Sequence, residues 1–233
     1  DLTGVGRTGN EITVQGDSNS LTIDLKETFS ATKTATITYP VVRSTARETS
    51  KDLITNRFVK IYLGSSPYNT NLSGPFNLGI SDVFKIRSIR RKNSDFTAAG
   101  QGTDVTTQFT FDNGQRDDYY GFAAISPTNI SSALTTSDYL LIELDYFLPN
   151  FTNGAGYFSV DSYPINDSTP SSSQITTSQI PVYVSPITGA FFDLRNCLDF
   201  RPVYLNTAAD ISSTGVNGMA SNPSSASTFT SLA

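Results

Sequence analysis

The strongest constraint on this chain is a period of two. Leu140 to Phe147 reads LLIELDYF, which places Leu140, Ile142, Leu144 and Tyr146 on one side and Leu141, Glu143, Asp145 and Phe147 on the other. Phe58 to Leu63 (FVKIYL) and Phe84 to Ile89 (FKIRSI) alternate in the same way, and Val105 to Phe111 puts Val105, Thr107, Phe109 and Phe111 together. Successive side chains alternate across a strand, so these runs predict strands. Shorter candidates are Glu11 to Gln15 and Leu21 to Leu25 around the turn Gly16-Asp17-Ser18-Asn19, Ala35 to Val42, Gly156 to Val160, Pro181 to Val184, Ala190 to Leu194 and Leu198 to Leu205. Many short strands between Gly-, Pro- and Asn-rich loops bury a sheet face only by packing it on another sheet. The expected fold is all-β: an antiparallel β-sandwich, in one or more modules, with long polar loops and an extended C-terminal segment. Arg43 to Asn56 is the one stretch that admits a helix, but Ala46, Leu53 and Ile54 make a thin stripe, so a loop with one helical turn is the plainer expectation.

Composition agrees. Charged residues are 16% of 233, while Phe and Tyr number 15 and 11, a mixture that favours strands over long helices and supports a folded core. The loop Gly64 to Asn77, with Pro67, Gly74 and Pro75, suggests a module boundary. The expected organisation is a small β module over 1–75, a separate sandwich being one reading of it, a β-sandwich domain over 76–205, and a Ser/Thr-rich linker or partner-ordered tail over 206–233. The chain begins with Asp1, so a fragment or processed product is expected.

Several chemistries lack their residues. With no His and one Cys, the chain cannot build a Ser-His-Asp or Cys-His centre, a His-based metal site or an internal disulfide. Cys197, beside Leu198 and Phe200, is expected to be a small buried apolar residue. Gly4 to Gly9 spells G-x-G-x-x-G without the strand and helix that give the motif meaning. The net charge is −5 and the one basic run is Arg87 to Lys92, which argues against nucleic acid as a partner. No apolar run is long enough to cross a membrane as a helix. No cofactor is expected.

Two polar clusters stand out. Asp112-Asn113-Gly114 is a turn signal, and Gln115, Arg116, Asp117 and Asp118 follow it directly, with Tyr119 and Tyr120 beside them. Asp193, Arg195, Asp199 and Arg201 alternate with apolar residues later in the chain. Both clusters are expected to be structural ion-pair networks, with Arg116 or Arg201 crossing to the carboxylates of the other cluster. The rival readings are a hard-cation site from Asp112, Asp117 and Asp118, and a glycan-cleaving carboxylate pair. Glu143 and Asp145 share one side of their strand and could offer a second such pair, but the expectation is that they form the solvent face of a one-sided strand.

Three strings together resemble a known family: FTFDNGQRDDYY (109–120), LLIELDYFLPNFTNGAGYFSVDSYP (140–164) and IPVYVSPITGAFFDLRNCLDFRP (180–202). Their order is similar to an uncharacterised domain in virion structural proteins of tailed phages, notably cyanophages and other myoviruses, over about residues 80 to 205. Family members often carry a His shortly after the Tyr, where this chain has Gly121-Phe122. The resemblance implies a structural, non-enzymatic component of a tail fibre or baseplate-associated protein, located in the virion. It implies contact with other virion proteins and with copies of itself, threefold assembly being usual for fibres. A carbohydrate-binding module touching host surface glycans is the alternative, for which Tyr68, Phe76, Tyr157 and Tyr163 are the candidate exposed aromatics. A glycan-cleaving tailspike fragment is a third.

Overall fold

A computed structural model describes residues 12–14, 21–23, 47–152, 154–206 and 227–230. The chain divides into two compact units, Asp1–Val42 and Arg43–Ala233. In the first, β1 (Ile12–Val14) pairs antiparallel with β2 (Leu21–Ile23), Ile12 opposite Ile23. The expected turn at 16–19 and strand at 35–42 lie outside the described residues.

The second unit is all-β. Among its described residues the helical ones are three-residue 3₁₀ turns, as at Tyr68–Thr70 and Thr106–Gln108. One antiparallel sheet holds β3 (Lys51–Tyr62), β9 (Tyr139–Pro149), β5 (Val83–Lys92) and β6 (Thr103–Asp104), in that order. A second holds β4 (Phe76–Ser81), β8 (Phe122–Pro127) and β7 (Phe109–Asp112). One core joins them: Val59, Ile61, Ile89, Leu140, Ile142 and Leu144 come from the first sheet, and Phe76, Leu78, Ile80, Ala123, Ile125 and Phe109 from the second. The arrangement is sandwich-like, and the Leu140/Ile142/Leu144/Tyr146 face lies where the alternation puts it.

The stretch expected to be loop or helix is a strand. Lys51 and Leu53 are buried and Asp52 is exposed, as in a strand. Between Ile54, opposite Tyr146, and Arg57, opposite Leu144, β3 carries one extra residue. Asn56 takes a positive φ of 53° there and donates its N–H to Asp145 Oδ1 at 3.0 Å. Such a bulge reverses which residues face inward. Leu53 therefore packs in a second apolar cluster with Phe147, Tyr163, Ile175, Ile180, Tyr183 and Leu194, while Val59 and Ile61 face the inter-sheet core. The break in period hides the strand from a pattern search. It also bears on the expected boundary near residue 75: β3 pairs with β9 along its length, so residues 51–62 share a sheet with the chain beyond 76.

Other elements shift in detail. β4 and β8 were not expected. The 105–111 run splits into a 3₁₀ turn and β7, with Val105 and Phe109 buried but Phe111 exposed. Gly156 to Val160 makes only a bridge, Phe158 to Asp199, before a 3₁₀ turn at Val160–Ser162. β10 (Val182–Val184) and β11 (Phe191–Asp193) form a two-stranded hairpin, and β12 (Val203–Asn206) pairs with β13 (Ser227–Thr230). The 206–233 segment, expected to be a linker or tail, thus contributes a strand, and the rest of it lies outside the described residues.

Candidate functional site

The three strings of the sequence meet at one place, stitched first by backbone. Asp112 and Asn113 turn the chain, their side-chain oxygens accepting the N–H of Gly114 (2.8 Å) and Gln115 (3.0 Å). Gly114 has a φ of 81°, and a Cβ there would stand 2.3 Å from the Gly121 carbonyl oxygen, so only glycine fits. The returning chain places Tyr120 beside Val203: Tyr120 N–H donates to Pro202 O, and Tyr204 N–H to Tyr120 O. Phe158 and Asp199 exchange both backbone hydrogen bonds at 2.8 Å.

Side chains then close a buried polar junction. Arg201 Nε donates to Asp199 Oδ1 at 2.9 Å and Nη2 to Oδ2 at 2.7 Å, a bidentate pair. The same guanidinium reaches the Arg116 carbonyl (2.9 Å), Gln115 Oε1 (3.3 Å) and Tyr120 Oη (3.0 Å). Tyr120, fully buried, donates its hydroxyl to Asp199 at 2.5 Å. Gln115 Nε2 donates to Asp82 Oδ1 at 3.2 Å, and Asp82 Oδ2 accepts from Lys51 Nζ at 2.7 Å. Lys51 and Asp82 are 0% and 2% exposed. Three rings surround the Lys51 ammonium, with centroids at 4.1 Å (Phe158), 4.6 Å (Tyr120) and 4.8 Å (Tyr163).

Burial and pairing compete here. Burial favours a neutral Asp199, but Arg201 and the Tyr120 hydroxyl outweigh it and hold the carboxyl below its ordinary value. Burial also favours a neutral Lys51, yet Asp82 beside it leaves the ammonium's pKa raised. Burial first, and then the negative charges of Asp82 and Asp199, push the Tyr120 and Tyr163 hydroxyls up.

The expected crossing occurs through Arg201, and its targets differ from those expected: a carbonyl, an amide and a hydroxyl, while its carboxylate is the local Asp199. Arg116 stays with Asp112 at 2.8 Å on the surface, donates Nη1 to the Gln115 carbonyl at 2.7 Å, and meets Arg201 through its own carbonyl. Arg195 likewise pairs locally with Asp193. Asp117 accepts from the hydroxyls of Tyr183 and Ser185, which tie the first cluster to the β10–β11 hairpin and lower its pKa; Asp118 is exposed. Asp112, Asp117 and Asp118 therefore do not converge, and no cluster of three metal-ligating groups occurs among the described residues. Cys197 is half-buried, its thiol donating to the Asp193 carbonyl.

Glu143 and Asp145 do not form a solvent face. Asp145 is 1% exposed and accepts from Arg87 Nε at 2.7 Å, with Lys85 Nζ at 3.5 Å; Glu143 accepts from Ser88 at 3.4 Å. Arg90, Arg91 and Lys92 of the basic run are also engaged, Arg91 with Asp138 at 2.7 Å.

No protein family, curated protein or solved structure matches the chain. The surface itself shows what the junction supports. Ile187, Phe191, Leu198 and Phe200 are 82%, 76%, 64% and 64% exposed, and Val182, Val184 and Phe192 are nearly half exposed. The β10–β11 register explains this: Val184 and Phe191 share an outward face, while Tyr183 stacks on Phe192 behind them. A groove of about 580 Å³ runs between Phe192, Leu198, Phe200, Asp117, Asp118 and Arg201.

Sequence reasoning missed Lys51 and Asp82. Asp82, a lone carboxylate between the apolar runs of β4 and β5, was the one available signal. Three of the four candidate exposed aromatics are core: Tyr68, Phe76 and Tyr163 are 4%, 0% and 6% exposed, and Tyr157 is half-buried.

Proposed function

We infer that this chain is a structural module of a tailed-phage virion, part of a tail fibre or baseplate-associated protein, built to assemble with copies of itself and with other virion proteins. One observation carries the reading: the exposed apolar surface of the β10–β11 hairpin, with Leu198 and Phe200 alongside. Clustered apolar side chains of this size at a surface mark an interaction site. Tyr183 and Ser185, both donating to Asp117, fasten the hairpin beside the polar junction. The likeness of the three motif strings to phage virion proteins supports the same reading.

The test is sedimentation of the purified chain alongside mass spectrometry of intact particles. A discrete oligomer, dispersed by Phe191→Ser together with Ile187→Ser, and recovery of the chain from particles are expected. A soluble monomer that degrades capsule would overturn the proposal.

The groove favours a second reading, glycan binding, because Phe192 and Phe200 border it next to Asp117 and Asp118. Calorimetry with host surface oligosaccharides separates the two: saturable heat abolished by Phe200→Ala supports glycan recognition.

A further inference from the structure

The Lys51–Asp82 pair is placed as reactants are placed. Nζ lies 2.7 Å from Oδ2, both side chains are sealed from water, and the rings of Phe158, Tyr120 and Tyr163 enclose the amine. We propose that Lys51 and Asp82 condense in the folded protein to an isopeptide bond.

The step balances without a co-reactant. Lys51 Nζ bonds to the carboxyl carbon of Asp82, and the bond from that carbon to Oδ2 breaks. Of the three hydrogens on the ammonium, one stays on the amide nitrogen and two leave with Oδ2 as water. The surroundings supply what the reaction requires. Gln115 Nε2, 3.2 Å from Oδ1, donates to the oxygen that gains charge when the tetrahedral adduct forms. The hydroxyls of Tyr120 and Tyr163 lie 3.5 and 3.4 Å from Nζ and accept from it. Tyr120 is hydrogen-bonded onward to Asp199, which gives the proton a route away from the amine before it returns to the leaving oxygen. Fixing two groups in contact is equivalent to an effective concentration on the order of 10⁵–10⁸ M, enough to drive a condensation that free amines and carboxylates do not undergo in water. The product replaces two buried charges with a neutral amide, removing the desolvation cost of the ion pair. The ion pair is the resting form and the neutral amine the reactive minority, so the bond forms slowly after folding.

The bond ties the first residue of β3 to the turn between β4 and β5. In a chain with one cysteine it does what a disulfide cannot.

The test is denaturing mass spectrometry of the aged, purified full chain. The expected result is a mass one water below that of the sequence and, after trypsin, a cross-linked species joining 48–57 to 61–85, uncut after Lys51. Lys51→Met should show its full sequence mass. Asp82→Asn should lose one ammonia in place of one water. A full mass with separate Lys51 and Asp82 peptides overturns the proposal, as does a water lost at any other position.

Discussion

The inter-sheet core and the polar junction hold the same unit together by different physics. The core is apolar, and its members come from strands whose side chains alternate. The junction is charged and hydrogen-bonded, and its members come from turns and strand ends: Lys51, Asp82, Gln115, Tyr120, Asp199 and Arg201. A core of that kind tolerates shape changes gradually. A buried network does not, because removing one partner leaves another uncompensated in low dielectric. The difference teaches where specificity resides: the core makes a sandwich, and the junction selects which loops meet.

The sharpest way to break the comparison is Arg201→Ala, which strands Asp199 and three other acceptors. A loss of ~3–5 kcal/mol is expected in urea unfolding; a loss below ~1 kcal/mol would demote the junction to decoration. Ile142→Ala, 0% exposed at the centre of the core, should cost about 2–5 kcal/mol and leave the hairpin surface intact.

Asp199→Asn should cost about 1–3 kcal/mol at neutral pH. Its pH signature is separate. Because the folded carboxyl's pKa is depressed, its stabilisation is complete above the ordinary carboxylate value of ~3.9 and fades as pH falls through the lower folded value. Thermal melts between pH 2 and about 5 should therefore show an acid-side decline in the native chain that is shallower in Asp199→Asn. An identical decline in both would remove Asp199 as its source. The smallest effect is expected from Arg116→Ala, which breaks a surface pair whose partners are 35% and 51% exposed and one bond to the Gln115 carbonyl: about 1 kcal/mol by the same unfolding assay. A loss as large as that of Arg201→Ala would show that the surface pair, and not the crossing guanidinium, organises the junction.

Much of the sandwich was legible in the chain. The β9 face from Leu140 to Tyr146 and the strand at Phe58 to Leu63 follow from alternation. The start of β3 did not, because its bulge reverses the period just where a pattern search needs continuity. For the junction, Asp199, Arg201 and Gln115 were legible as chemistry in need of partners. Their partners were not, since residues separated by 69 positions, as Lys51 and Tyr120 are, carry no local mark of contact.

The sequence by itself determined the all-β class, through period-two patterning and turn residues, and ruled out histidine chemistry and an internal disulfide by composition. Only the tertiary structure decided that Asp145 is buried under Arg87 and not displayed to solvent, and that Arg201 rather than Arg116 crosses between motifs. It alone decided that Lys51, in a stretch that admitted a helix, sits sealed against Asp82. The reason is physical: local patterns report which face of an element is apolar, while the partner of a buried charge is set by chain crossings that lie far apart in sequence.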